Sequence, residues 1–312
     1  MLMRVLVTGA NGFVGRSVVR RLRAANIEVV AAMRDPHPMP PGVKIVHIQS
    51  VGGDTNWLEA LYEVDAVVHL AARVHVMNDK AHDPLNEFRK VNLSGTRSLA
   101  EAAIMKVKRI VFVSTIKVNG EHTSIDHPFT EKSHPHPHDP YAQSKWEAEE
   151  VLRETSRHNS LEHVILRPPL VYGPGVKANF HALIELVRKH PILPLGGIHN
   201  LRSMLYVENL ADAVFHCLSS VKAANQTYLL CDGEDLSTTQ LVERIAHQLH
   251  RKRSLISLPK VLWQLAGLFS GSAKRLGQSL RIDGSKICTD LMWQPPYSVD
   301  EGLAATVKKE HK

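Results

Sequence analysis

The stretch VTGANGFVG, residues 7–15, decides how the rest of the chain is read. It overlaps the end of an apolar run (RVLVT, 4–8) and leads into a segment with Val14, Val18 and Leu22 at every fourth position. Glycines 9, 12 and 15 give the spacing GxxGxxG, a variant of the dinucleotide fingerprint. Such glycines permit a tight turn, close backbone approach to a pyrophosphate, and close packing of helix on sheet. The phosphates then meet the free N–H groups that open a helix. Gly9, Asn11, Gly12, Phe13, Val14 and Gly15 are therefore the candidate dinucleotide loop.

Outward from this loop the same rhythm repeats. Further β-branched, apolar runs lie at 28–33, 44–48, 65–70, 109–114 and 163–167. Most are continuously apolar, as strands covered on both faces are. Helices are expected between them at 13–25, 55–63, 84–105 and 140–157. In the first, Arg16, Arg20 and Arg23 fall on the watery side of the apolar stripe. This alternation predicts an α/β fold, a Rossmann-type doubly wound parallel sheet.

After about residue 170 the rhythm breaks at RPPLVYGPG and HPILPLGG, and Ser237-Thr-Thr-Gln240 has the pattern of a helix capping box. A smaller, partly interleaved C-terminal domain is expected. The division is 1–170 for the nucleotide-binding domain, with 200–220 returning to it, and 171–199 with 221–312 for the second domain.

Composition narrows the function. The 312 residues are enough for a real core, and 44% hydrophobic with 22% charged residues is ordinary for a globular protein. No apolar run reaches the roughly 18 residues that cross a bilayer. The apolar start lacks a signal-peptide cleavage pattern, so a cytoplasmic protein is expected. Cys217, Cys231 and Cys288 are far apart and read as reduced core thiols. The net charge of +7 gathers at RSVVRRLR (16–23) and HRKRS (250–254), which read as solvated surfaces; no nucleic-acid motif accompanies them. VLWQLAGLF (261–269) reads as a core helix or a subunit contact.

The end of the second strand selects the nucleotide. An NAD site usually holds a carboxylate there for the ribose 2′-hydroxyl. AAMRDP instead places Met33 at that position and Arg34 next to it, and a guanidinium suits a 2′-phosphate. NADP(H) is favoured over NAD(H), although Asp35 restores an acid if the register shifts by one.

HPHPHDPYAQSK, residues 134–145, carries the chemistry. Asp139 can cap a helix whose first turn holds Pro140. Tyr141 and Lys145, four apart, then share one face, and an ammonium beside the phenol lowers its pKa from about 10. Upstream, Ser114 and Thr115 end a strand with hydroxyls suited to a substrate oxygen. His134, His136 and His138 lack the Cys or carboxylate cluster that would complete a tetrahedral site, so no metal is expected.

TGANGFVG, HLAAR (69–73), VNLSGT (91–96), the strand-end Ser-Thr, YAQSK, RPPLVYGPG (167–175) and LRSMLYVENLADAV (201–214) together resemble one family, the extended short-chain dehydrogenases/reductases. The resemblance implies Thr115, Tyr141 and Lys145 as catalytic residues, with Lys145 also on the nicotinamide ribose. It implies cofactor contacts at Ala71, Ala72, Asn92 and Pro168. In the nucleotide-sugar branch around the UDP-galactose 4-epimerases, it also places Asn179 and Arg202 on the nucleotide diphosphate. Ser114 and Lys117 join Thr115 as candidate substrate contacts, because Lys117-Val118-Asn119-Gly120 departs from the branch's VYG. A homodimer through 84–105 and 140–157 is implied in the same way.

The expected substrate is therefore a UDP-sugar. HVMND, STIKVNG and GPGVKANF further resemble bacterial 4-ketoreductases that form UDP-N-acetylquinovosamine for surface polysaccharides. The expected activity is reduction of a UDP-4-keto-6-deoxy-N-acetylhexosamine. The alternatives are a UDP-hexose or UDP-N-acetylhexosamine 4-epimerase with bound NAD, and a dinucleotide-binding regulator without turnover. Ile116-Lys117 stand where a 4,6-dehydratase carries an acid pair.

Overall fold

A computed structural model describes residues 3–35, 37–74, 82–258 and 276–308 of the protein. HVMND (75–79) and VLWQLAGLF (261–269) both lie entirely outside these residues.

The first two-thirds follow the expected alternation: β1 (Arg4–Thr8), α1 (Phe13–Ala24), β2 (Glu28–Met33), β3 (Val43–His47), β4 (Ala66–His69), α2 (Pro84–Asn92), α3 (Ser94–Ala103), β5 (Arg109–Val113), α4 (Pro140–His158) and β6 (Glu162–Arg167). Then come β7 (Leu170–Tyr172), α5 (Ala178–Lys189), β8 (Ile192–Gly196), β9 (Met204–Tyr206), α6 (Val207–Ser219), β10 (Gln226–Leu229), α7 (Thr238–Gln248), β11 (Ser254–Ser257), α8 (Ser285–Leu291) and α9 (Val299–Lys308). Seven strands form a parallel sheet in the order β10-β6-β5-β4-β1-β2-β3. The order reverses at β1, so the crevice above the carboxyl ends of β1 and β4 is the topological switch point where such sheets bind ligands.

Burial explains the strand sequences. Val5, Leu6 and Val7 are fully buried, with Val5 and Val7 facing one helical layer and Leu6 the other. Residues 226–229, expected with the second domain, supply the edge strand of the large sheet through parallel pairing of Gln226–Leu229 with Val164–Arg167. A second core gathers Phe180, Ile184 and Val187 of α5, Val242 and Ile245 of α7, and Leu303 of α9. The small parallel pair β8–β11 borders it. Ser237 and Gln240 make both hydrogen bonds of the capping box at the start of α7.

Two expected helices differ. Of residues 55–63 only 58–63 form turns, because Leu61 N bonds Trp57 O but Tyr62 N bonds Glu59 O, and Glu63 takes a positive φ of 53°. The 84–105 helix divides at Leu93, where the Thr96 hydroxyl takes the Asn92 carbonyl at 2.6 Å. The three cysteines are free thiols, and no helix among the described residues is long and apolar enough to cross a membrane.

Candidate functional site

The glycine loop lies at the switch point. Gly9 has φ +67°, and its carbonyl accepts from Gly12 N at 3.0 Å. A Cβ on Gly9 would stand 2.9 Å from Ala71 N, and one on Gly15 would stand 2.2 Å from Gly9 O. Only glycine fits either place, because the crowding atoms are backbone. Gly12 precedes α1 with no side-chain cap, leaving the first-turn N–H groups for a ligand. Phe13 and Val14 pack into the second core and so tie the loop to the smaller lobe. The Asn11 carbonyl accepts from Arg16 at 3.2 Å.

The wall opposite the loop is held by a chain of hydrogen bonds. The Thr8 hydroxyl accepts from Leu70 N and Ala71 N and lies 2.7 Å from His69 Nδ1. Thr96 donates to the Asn92 carbonyl and stands 3.1 Å from His69 Nε2. This pattern assigns the neutral Nε2–H tautomer to His69, and burial lowers its pKa to about 3. Asn92 exchanges two hydrogen bonds with the Arg73 backbone, at 2.8 and 3.0 Å, and donates to Ser144 at 2.9 Å. It therefore fixes the Ala71-Ala72-Arg73 wall to α2 and α4 with its own polar atoms.

The strand-end hydroxyls and α4 are joined by two ties. Ser114 donates to Glu149 at 2.5 Å, and Lys117 Nζ meets Asp139 Oδ2 at 2.5 Å. Thr115 lies between these ties on one element; Tyr141 and Lys145 lie between them on the other. Asp139 caps α4 by accepting from Ala142 N at 2.7 Å, as its sequence pattern requires. Pro168 is buried, and its carbonyl accepts from Ile116 N, anchoring the 3-10 turn Ile116–Val118 that Thr115 begins.

Lys145 is 2% exposed, with its ammonium 3.8 Å from the Phe112 ring centroid. It has no hydrogen-bond partner among the described residues. Burial lowers its pKa to about 7, against the opposing charge of Glu149 one turn further on. The half-buried Tyr141 stacks edge-on against Phe88. Its phenol departs from expectation: burial, then the Asp139 carboxylate, push its pKa up. The Lys145 charge lies against an aromatic face and is itself weakened by burial, so the expected depression is missing.

A match to the model of the NAD dependent epimerase/dehydratase family spans residues 5–231, from the first strand to just past the last strand of the large sheet. The chain belongs to that family. It is similar to the UDP-glucose 4-epimerase of Vibrio cholerae, 39% identical over 310 residues that cover 97% of this chain and 94% of that one. An Escherichia coli O157:H7 relative, N-acetyl-alpha-D-glucosaminyl-diphospho-ditrans,octacis-undecaprenol 4-epimerase, is 30% identical over 98% and 95% of the two chains. Among solved structures, the UDP-glucuronic acid 4-epimerase of Bacillus cereus in complex with NAD shares the fold, with a TM-score of 0.80 at 22% identity over 98% of each chain. The protein is thus an enzyme of the extended short-chain dehydrogenase/reductase type, in its nucleotide-sugar branch.

The dinucleotide of this family fits the residues present. The loop admits no Cβ at Gly9 or Gly15, and a buried ammonium stands ready to donate. Arg34 and Asp35 are both exposed just beyond β2. Other expected contacts are dispersed or committed. The Ser114 hydroxyl is spent on Glu149, because the buried Glu149–Arg167 pair lies directly beneath it. Lys117 is paired with Asp139. Asn179 is exposed in the first turn of α5, and Arg202 donates to the Gln278 carbonyl at 3.1 Å while bridging Leu236 and Leu280. His136 and His138 meet edge-on at 4.3 Å, and among the described residues no three His, Cys, Asp or Glu side chains gather as for a metal.

The sequence reading missed Glu149. It is fully buried and takes Arg167 at 3.0 and 2.5 Å, Arg153 at 3.0 Å, and Ser114. Arg167 in turn donates to Asn119 at 3.0 Å. The signal was present: Glu149 follows Lys145 by the same four residues that separate Lys145 from Tyr141.

Proposed function

We propose that the protein performs redox chemistry at C4 of a UDP-sugar and that it is a UDP-hexose or UDP-N-acetylhexosamine 4-epimerase. The observation that carries the redox reading is Lys145: a buried ammonium without a hydrogen-bond partner among the described residues, one turn beyond Tyr141, between the ties that also bracket Thr115. The near full-length likeness to a 4-epimerase supports epimerisation over the reduction expected from sequence.

A bound nicotinamide would supply the acceptor and donor of hydride. Gly9, Gly12 and Gly15 would hold its pyrophosphate, and Lys145 its ribose hydroxyls. Thr115 would hydrogen-bond the sugar O4. Tyr141 would take the O4 proton as C4 is oxidised and return it as C4 is reduced, a general acid–base role worth about 10²–10⁴ in rate. We assign the sugar nucleotide to the lobe built from 171–199 and 221–312 apart from the edge strand, with Asn179 and Arg202 on its diphosphate. A homodimer joined through α2 and α4 belongs to the same reading.

A second reading, 4-ketoreduction with NADPH, is favoured by one observation: Arg34, exposed immediately after Met33, which stands where an NAD site would hold a carboxylate. Purified protein is offered UDP-glucose, UDP-N-acetylglucosamine and the 4-keto-6-deoxy derivative of the latter. Interconversion of C4 epimers without net redox supports the epimerase. Stoichiometric NADPH oxidation by the keto sugar supports the reductase and overturns the first reading. In either case Tyr141→Phe loses about 10²–10⁴ in kcat.

A further inference from the structure

The strand-end hydroxyl of Thr115 is followed in this chain by a 3-10 turn that contains Lys117. Thr115 opens that turn, and its Oγ1 accepts from Lys117 N at 3.3 Å. The Lys117 ammonium then crosses to α4, meeting Asp139 at 2.5 Å and standing 3.8 Å from Glu121. Asp139 uses its other oxygen to cap the helix two residues before Tyr141. One lysine thus connects the turn behind Thr115 to the helix start in front of Tyr141.

The pair differs from an ordinary surface ion pair. The Lys117 and Asp139 side chains are 21% and 25% exposed, so solvent screens them only partly. Asp139 is held in place by its capping bond from Ala142 N as well. The Asp139 carboxylate is close enough to the phenol to oppose its ionisation. Other charged groups nearby include Glu121 in the segment after the turn, Lys145 one helical turn along, and Arg73, whose guanidinium lies over the Phe88 ring that packs on Tyr141 from α2; His138 leads into the helix.

We propose that Lys117 is a positioning residue, clasping Asp139 to the Thr115 turn and offsetting that carboxylate, which otherwise opposes ionisation of the Tyr141 phenol. It acts through Asp139, in place of the substrate contact that its position in the sequence suggested. This inference rests on the reading of Tyr141 as the proton carrier.

The test uses holoenzyme with 13C at the tyrosine Cζ, the Tyr141 signal being the one lost in Tyr141→Phe. Its titration and the pH profile of turnover are followed in Lys117→Met, Lys117→Arg, Asp139→Asn and Lys117→Met/Asp139→Asn. Asparagine still caps helices, so Asp139→Asn removes charge while keeping the helix start. Lys117→Met should move the Tyr141 titration and the limb of the rate profile upward by about one unit, a tenfold loss of phenolate at fixed pH. KM should change less than twofold, and the rate should recover when the pH is raised by that amount. Lys117→Arg should match the wild type. Asp139→Asn should shift both downward, and Lys117→Met should then have no further effect. The clasp is overturned if Lys117→Met leaves the titration and the limb unmoved, or shifts them equally with Asp139 replaced. If Tyr141 follows Lys117 while Tyr141→Phe retains full turnover, the clasp stands and the proposed role of Tyr141 fails.

Discussion

Glu149 shows how much of the site depends on a residue that touches no reactant. Its carboxylate meets two guanidinium groups and a serine hydroxyl inside the protein. Glu149→Gln leaves the buried Arg167 with an uncharged partner, which should cost roughly 3 kcal/mol, read as a lowered urea midpoint. It also removes the charge that supports the Lys145 ammonium, so the alkaline decline of turnover should begin at lower pH than in the wild type. At this scale the sequence disclosed chemistry better than commitment. That Tyr141 and Lys145 share one helix, with Thr115 just past a strand end, was legible from spacing and position. That Ser114 and Lys117 are already bonded was hidden, because their partners lie 35 and 22 residues away and nothing local marks the pairing.

Among the elements, the β1–loop–α1 unit was the most legible, since strand, turn and helix agree locally and crowding enforces the glycines. Gly15→Ala places a Cβ 2.8 Å from Ala10 Cα as well as against Gly9 O. Overpacking of this kind costs about 1–3 kcal/mol, and calorimetric titration should show NAD(H) affinity falling with it. Gly277→Ala, where a Cβ meets nothing within 4 Å, should stay within about 0.5 kcal/mol of wild type. The segment 55–63 was less legible because its buried Trp57, Ala60 and Leu61 imitate a helical stripe. The break at Leu93 depends on which carbonyl the Thr96 hydroxyl chooses, and periodicity carries no trace of that choice.

Across the whole molecule, Asp232 ties together segments far apart in the sequence. It accepts from Tyr206 N, Asn209 and Tyr172, while Asn209 also bonds the Tyr297 backbone just before α9. Burial raises the Asp232 pKa from 3.8 to about 6. The unfolded chain releases this proton first, so the associated stability is full below about pH 4 and lost as pH rises through 6. The change is about 3 kcal/mol at 1.4 per unit. Asp232→Asn should remove this slope, and the difference between the two urea-midpoint curves from pH 4 to 7 measures it. Such long-range pins were invisible in the sequence, whereas the doubly wound sheet was legible because each strand and helix declares itself locally.

The strand order also imposes a timetable on synthesis. β10, the partner of β6, is made last of the seven, and the roughly 60 residues between them take about 3–12 s to translate. Throughout that interval a nascent chain carries an unsealed β6 edge, and Phe13 and Val14 of its nucleotide loop still lack the second core they pack against. Ribosome-bound chains should therefore hold the cofactor firmly only after those later segments have emerged.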